Sequence, residues 1–172
     1  MYATLILAVL LLESPTGSQA ATDPECITDK YRRYAEAQED WQRSLTELMI
    51  DRAPEYAGVA RQFMEDQLTA IERNLLTVEW LASNAPSELR TEGALNTWIR
   101  IGPETTERIE RSSDRYRELA RLQERVRTRP ADPDGEQLRA LMREEITLLP
   151  QYETLLDSLM QSVEEATAIE CR

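Results

Sequence analysis

Residues 134–171 read DGEQLRALMREEITLLPQYETLLDSLMQSVEEATAIEC, and this acidic stretch decides the fold. Its apolar residues recur at steps of three and four, with one step of seven across Glu145, so they share one face of a helix. These residues are Leu138, Leu141, Leu148, Tyr152, Leu155, Leu159, Val163, Ala166 and Ile169. A long amphipathic helix is stable in water only when other elements cover its apolar face. The stretch therefore predicts a helical bundle, and Pro150 within it predicts a bend or a division near Leu149.

Three other stretches carry the same helical periodicity. Helix one is predicted from Asp23 to about Arg52, helix two from about Glu55 until Ser83–Pro86 stops it, and helix three from Glu104 to about Arg129. Residues 87–102 are less regular and predict a short helix in the connection between helices two and three. Short connections make consecutive helices antiparallel neighbours. We therefore predict an all-α fold, an up-down-up-down four-helix bundle formed by residues 21–172 as one domain.

The two cysteines lie at opposite ends of the predicted domain, Cys26 in helix one and Cys171 at the end of helix four. An up-down-up-down topology brings these two positions to the same end of the bundle. In an exported chain, two such cysteines are joined. A zinc site or a catalytic thiol is the alternative, but the sequence has no His and no further Cys to accompany them. We predict a structural disulfide that closes the bundle.

Residues 1–20 have the pattern of a secretory signal peptide. The apolar run Leu5–Leu12 is shorter than the ~20 residues that cross a bilayer, and the small-x-small sequence Ser18–Ala20 follows it. No Lys or Arg precedes the run, so a retained N-terminal helix or an uncleaved anchor is the alternative. We predict cleavage after Ala20, a periplasmic or secreted location, and no stable membrane insertion after cleavage.

The formal net charge of the chain is −12. A domain this acidic is repelled by nucleic acid and by anionic membrane surfaces. We therefore expect no nucleic-acid partner and expect any protein partner to be basic. A heptad seam that suits an intramolecular bundle also suits a second copy, so a homodimer is an open alternative.

Histidine is absent, which removes Ser-His and Cys-His nucleophile pairs, Glu-x-x-His di-iron sites and histidine zinc sites. No glycine-rich phosphate loop is present either. We therefore predict no catalytic residue, no cofactor and no metal, and consider an enzyme the less favoured class. Carboxylates alone remain, and Glu145 lies on an apolar seam, where a buried acid needs a partner or a raised pKa. An arginine partner at the rim of the bundle is the alternative for Glu145.

Polar residues on the predicted seams form a second candidate site. They are Gln38, Ser112, Gln123 and Glu145. If these side chains line a cavity between helices, the bundle can hold a small ligand. A core packed solid around them removes this hypothesis.

Arginines recur every four residues along helix three. They are Arg117, Arg121, Arg125 and Arg129. Like charges at this spacing repel each other unless acids lie alongside. Helix four has seven acids and no base between Glu144 and Glu170, so we expect helices three and four to pair. The alternative is a binding site for an anion or an acidic partner.

Two tryptophans, Trp80 and Trp98, fall near the capped end of the predicted bundle. Core packing is the favoured interpretation, and an exposed aromatic patch that binds a partner is the alternative. The leading hypothesis for the whole chain is an exported acidic bundle that binds a macromolecular partner, as an inhibitor, an immunity-type protein or a chaperone-like factor. A small-ligand sensory or carrier bundle is the second, and a glycan-cleaving enzyme that uses carboxylates alone is the third.

Overall fold

The computed structural model describes residues 23–171, which fold into six α-helices with no β-strand. The helices are α1 (Pro24–Arg52), α2 (Ala57–Asn84), α3 (Pro103–Ser112), α4 (Asp114–Thr128), α5 (Gly135–Glu144) and α6 (Pro150–Thr167). The predicted all-α fold is confirmed. The predicted signal peptide, residues 1–20, lies outside the described residues. Between residues 23 and 171, no helix is both long enough and apolar enough to cross a membrane.

The first helix begins and ends where the sequence predicts. The Asp23 carboxylate accepts a hydrogen bond from the backbone N–H of Glu25 at 3.0 Å, and Pro24 occupies the first helical position, where its missing N–H costs nothing. The helix ends at Arg52, because Pro54 disfavours helical backbone angles at the residue before it, Ala53. Ala53 accordingly has φ −144° and ψ 77°, and a 3₁₀ turn over Pro54–Tyr56 leads into α2.

Ser113 divides the stretch that the sequence predicted as one helix from Glu104 to about Arg129. Its backbone is extended, and its hydroxyl accepts a hydrogen bond from the N–H of Tyr116 at 3.1 Å. A serine hydroxyl in this position satisfies an N–H at the start of a helix, so the chain begins α4 here. The prediction of a single third helix is wrong for this reason.

The last stretch is also divided. α5 ends at Glu144, with Glu145 as its C-cap. A 3₁₀ turn then covers Ile146–Leu148, and Pro150 is the first residue of α6. Proline is tolerated at the first position of a helix and breaks the interior of one. The predicted division near Leu149 is therefore confirmed.

The connection between α2 and α3 contains two 3₁₀ turns, Pro86–Glu88 and Leu95–Thr97, where the sequence predicted one short helix. An isolated antiparallel bridge pairs Leu89 with Ile99 and folds the connection back on itself. This brings Trp98 into the core, where it is 2% exposed.

α1 packs against both α2 and α6, and α2 also contacts α4. Buried apolar side chains form two clusters. The first contains Ile27, Tyr31, Tyr34, Val78, Leu81, Ala82, Leu89, Leu95, Trp98 and Ala166, and the second contains Met49, Val59, Ala60, Leu138 and Ile146. The apolar surface removed from water in these clusters is the main force that holds the helices together.

A disulfide joins Cys26 to Cys171, with 5.6 Å between their Cα atoms. It connects the first turn of α1 to the segment that follows α6. The predicted pairing of the two cysteines is confirmed.

Candidate interaction surface on the last helix

α6 has one packed side and one open side. α1 is the helix that it contacts most extensively, and Ala166 is the only buried residue of α6. We define the outer face of α6 as the exposed residues on its open side, which are Glu153, Leu156, Asp157, Met160 and Glu164. Glu153, Asp157, Met160 and Glu164 recur at steps of four, three and four, and Leu156 lies one turn before Met160, so the five residues lie along one side of the helix.

Large apolar side chains are exposed on this face. Met160 is 59% exposed and Leu156, one turn earlier, is 38% exposed. Leu148 lies in the 3₁₀ turn before α6 and is 75% exposed. Its predicted place on the packed seam is wrong, because the chain leaves the helix after Glu144 and Leu148 no longer follows the helical periodicity. Single exposed apolar residues are common on protein surfaces, whereas neighbouring ones rimmed by polar groups mark interaction sites.

An open groove of about 640 Å³ runs along the same side of α6. Its lining residues are Asp157, Met160, Gln161, Val163, Glu164, Thr167 and Ala168. The lining residues that the structure describes all belong to α6 or to the residue that ends it. Within residues 23–171, the groove extends along about three turns of α6.

Every charged residue of the outer face is acidic. α6 carries Glu153, Asp157, Glu164 and Glu165 and no basic residue. Among residues 23–171, no arginine or lysine forms an ion pair with Glu153, Asp157 or Glu164. An unneutralised stripe of carboxylates attracts cations and steers a basic partner towards the apolar residues between them.

Contacts at both ends hold α6 against α1. At its start, the rings of Trp41 and Tyr152 meet edge to face, with 5.5 Å between their centroids. At its end, Lys30 Nζ donates hydrogen bonds to the backbone oxygens of Thr167 at 2.8 Å and Ile169 at 2.7 Å, beside the disulfide. The outer face is thus presented on a helix that is fixed at both ends.

The predicted arginine ridge pairs differently from what the sequence indicated. Arg129 binds Asp66 of α2 through two hydrogen bonds of 3.1 and 3.2 Å, and Arg117 pairs with Asp114 within α4. Arg121 and Arg125 are exposed, and within residues 23–171 their side chains form no ion pair. The expected pairing of helix three with the acidic last helix is wrong, because α4 packs against α2. This leaves the acids of α6 open.

A neighbouring arginine strengthens the contact between α4 and α2. Arg115 donates to both carboxylate oxygens of Glu72, at 2.7 and 2.6 Å, and to Glu118 at 2.7 Å. The hydrogen bonds to Glu72, and then those to Glu118, raise the pKa of the Arg115 guanidinium. The arginine–carboxylate pairs between α4 and α2 thus fix how the two helices are aligned, and they add little to the free energy of unfolding.

The polar seam residues are engaged locally. Glu145 is exposed and pairs with Arg52 at 3.0 Å, which is the rim arrangement that the sequence left open. Gln123 Oε1 accepts a hydrogen bond from Arg73 of α2, and the Ser112 hydroxyl donates to the Ile109 carbonyl at 2.8 Å.

Gln38 lies partly buried on α1. Within the described part of the chain, no hydrogen bond joins any two of Gln38, Ser112, Gln123 and Glu145.

The two tryptophans belong to the first apolar cluster and its margin. Trp98 is buried, and its indole N–H donates to the Gly93 carbonyl at 3.0 Å. Trp80 packs against the same cluster, and the Arg108 guanidinium covers its ring at 4.9 Å. Burial supports the core interpretation of Trp98, and Trp80 is partly buried, with one face of its ring covered by the Arg108 guanidinium.

Between residues 23 and 171, no group of three or more cysteine or acidic side chains is placed to hold a metal ion. Comparisons of the chain with protein-family models, curated proteins and solved structures gave no match. The geometry and charge of the chain itself are therefore what support a function.

The sequence contained a signal for the outer face. The predicted seam of the last stretch runs through Tyr152, Leu155, Leu159 and Val163, whereas Leu156 and Met160 lie beside it. Apolar residues off the seam of an amphipathic helix are the ones that a packed bundle leaves exposed. The expectation of an arginine helix alongside this stretch obscured that signal.

Proposed function

We propose that the protein is an exported binding protein whose outer face of α6 contacts a basic protein partner. It acts as an inhibitor, an immunity-type protein or a chaperone-like factor. The observation that carries the proposal is the combination, on one helix, of exposed Leu156 and Met160 with carboxylates that form no ion pair within residues 23–171. The apolar side chains supply buried area, and the carboxylates supply orientation and association rate.

Export is part of the same proposal. The Cys26–Cys171 disulfide supports an oxidising compartment, because cytosolic thiols are kept reduced. The signal-peptide pattern of residues 1–20 supports the same location, periplasmic or secreted. A partner in that compartment is the one to search for.

We also propose an up-down-up-down four-helix topology. In this topology, α3 and α4 together form the third helix of the bundle, and α5 and α6 together form the fourth. The contacts of α1 with α2 and α6, and of α2 with α4, support this topology. The Cys26–Cys171 bond supports it too, because this order brings the two chain ends together.

Site-specific crosslinking in the native compartment tests the proposed function. A photoreactive residue replaces Met160 in the full chain, and a matched control places it at Glu65, which is exposed on α2. We expect one basic protein to crosslink at Met160 and not at Glu65. Equal crosslinking at the two positions, or none at Met160, contradicts the proposal.

The small-ligand carrier and the carboxylate-only enzyme remain the alternative hypotheses. Both depend on buried polar side chains, and Glu145 is instead exposed and paired with Arg52. No contact in residues 23–171 favours either alternative specifically.

A further inference from the structure

We propose that the outer face of α6 recognises a linear cationic segment that binds as an amphipathic helix lying alongside α6. The inference rests on the proposed function and names its partner by chemistry. It depends on three properties of the face, which are its width, its charge and the spacing of its apolar residues.

The width of the face matches that of a single helix. α6 has 18 residues, so it is ~27 Å long, and a helix with side chains is ~10 Å wide. The outer face is therefore a strip ~27 Å long and ~10 Å wide. A contact confined to the face of one helix has the dimensions of a second helix.

The negative charge of the outer face favours a positively charged partner helix. Glu153, Asp157 and Glu164 stand along the face without basic partners in the described chain. A second copy of this acidic chain that presents the same face is repelled, and so is an anionic membrane. A segment with Lys or Arg on both edges of an apolar stripe is attracted, and the attraction weakens with salt.

The spacing of the apolar residues along α6 favours a partner segment in helical conformation. Leu156 and Met160 are four residues apart on the outer face, and Met160, Val163 and Thr167 line the groove at steps of three and four. A partner helix presents apolar side chains at the same periodicity, so its anchors and those of α6 interdigitate along the groove. The flexible, unbranched side chain of Met160 can pack against apolar side chains of different shapes, so the face can bind cationic helices of differing sequence.

Binding of designed peptides to the full oxidised chain tests the proposal. The probe is a labelled Leu/Lys peptide of about 18 residues with helical periodicity. One control peptide has the same composition with Leu and Lys in strict alternation, and the other has Glu in place of Lys. Fluorescence anisotropy gives the dissociation constant of each at low and at high salt.

We expect the helical cationic peptide to bind at least about tenfold more tightly than either control peptide, with an affinity that falls as salt rises. Equal binding of the two Leu/Lys peptides overturns the proposal, because charge attraction alone then explains the result. Tighter binding of the Glu peptide overturns it as well.

Matched charge reversals locate the site. Glu164→Lys and Glu65→Lys make the same charge change at exposed helical positions on α6 and α2. We expect about a tenfold loss of peptide affinity for E164K and less than about a twofold change for E65K. A circular dichroism melt establishes that both variants are folded. Equal losses in the two variants overturn the location.

The outcomes separate this inference from the proposed function. If Met160 crosslinks to a basic protein but the helical peptide does not bind, the binding function stands and the helical segment is wrong. If Met160 crosslinks to another copy of this chain, the cationic partner is wrong. If neither crosslinking nor peptide binding occurs, both proposals fail.

Discussion

Lys30 Nζ lies 2.7 Å from the backbone oxygen of Ile169 and 2.8 Å from that of Thr167. These carbonyls stand at the end of α6, where a helix leaves backbone oxygens without internal partners and carries partial negative charge. The only lysine of the sequence thus caps a helix that begins 120 residues later, at Pro150. The end of α6 is fixed by this cap and by the adjacent disulfide.

Replacement of Lys30 by Met removes both hydrogen bonds and the charge while keeping much of the aliphatic chain. We expect the variant to lose about 1–2 kcal/mol of unfolding free energy, because two carbonyls at a helix terminus lose a charged donor. Urea unfolding measures the loss. Lys30→Arg is the control and retains the charge. A Met variant as stable as the parent contradicts the capping role.

Removal of the disulfide tests how the chain ends are held. The Cys26→Ser, Cys171→Ser double variant opens a loop of 145 residues. For so long a loop, we expect a loss of about 2–5 kcal/mol of unfolding free energy, largely because the unfolded chain gains freedom. Chemical unfolding without reductant measures it. Reductant should destabilise the parent protein and leave the variant unchanged. Two free thiols in the purified native protein would contradict the pairing.

Much of the fold was readable because its signals are local. Pro24, Pro54 and Pro150 mark the start or end of helices through the backbone geometry that proline imposes. The cysteine pair followed from the order of the helices. The break at Ser113 was missed because serine is tolerated within helices and becomes an N-cap only when the chain changes direction there.

The Ser113 cap can be tested directly. Ser113→Ala removes the hydroxyl that accepts a hydrogen bond from the N–H of Tyr116, and it places no new restriction on the backbone angles of residue 113. We expect a loss of about 1 kcal/mol in unfolding free energy, the usual cost of deleting an N-cap. Thermal unfolding followed by circular dichroism measures it, with Ser113→Asp as a control that restores a capping group. Stability unchanged in the Ala variant would show that the cap contributes nothing.

The site was less predictable than the fold, for a physical reason. Periodicity reports which face of a helix is apolar, and it does not report which helix covers that face. The arginines of this stretch can pair with any acidic neighbour, and the packing of α4 on α2 pairs Arg115 with Glu72 and Arg129 with Asp66. The open side of α6 follows from that choice, which only the three-dimensional arrangement decides.

Alkaline pH should destabilise the protein through two buried tyrosines. Burial, and then the neighbouring Tyr34, raise the pKa of Tyr31 above its ordinary value of 10.0, and burial also raises the pKa of Tyr34. The unfolded chain therefore releases these protons first. The stabilisation is complete below pH 10 and is lost as the pH rises towards the folded-state pKa.

We expect each tyrosine to add up to about 1.4 kcal/mol per pH unit to the alkaline slope. Tyr31→Phe should make the decline in unfolding free energy above pH 10 shallower than in the parent. Urea unfolding at several alkaline pH values measures the two slopes. Other alkaline groups are common to both proteins and cancel. Identical slopes would show that Tyr31 titrates alike in both states.

Met160 and Val163 compare an exposed apolar residue of α6 with one that packs against the core. Because its side chain is 59% exposed, we expect Met160→Gln to change the unfolding free energy by less than about 0.5 kcal/mol. Val163→Ala, at a partly buried position that packs against the first cluster, should cost about 1 kcal/mol. Urea unfolding of the two variants gives the comparison. A loss in Met160→Gln as large as that in Val163→Ala would mean that Met160 stabilises the fold, and its exposure would then no longer support a binding face.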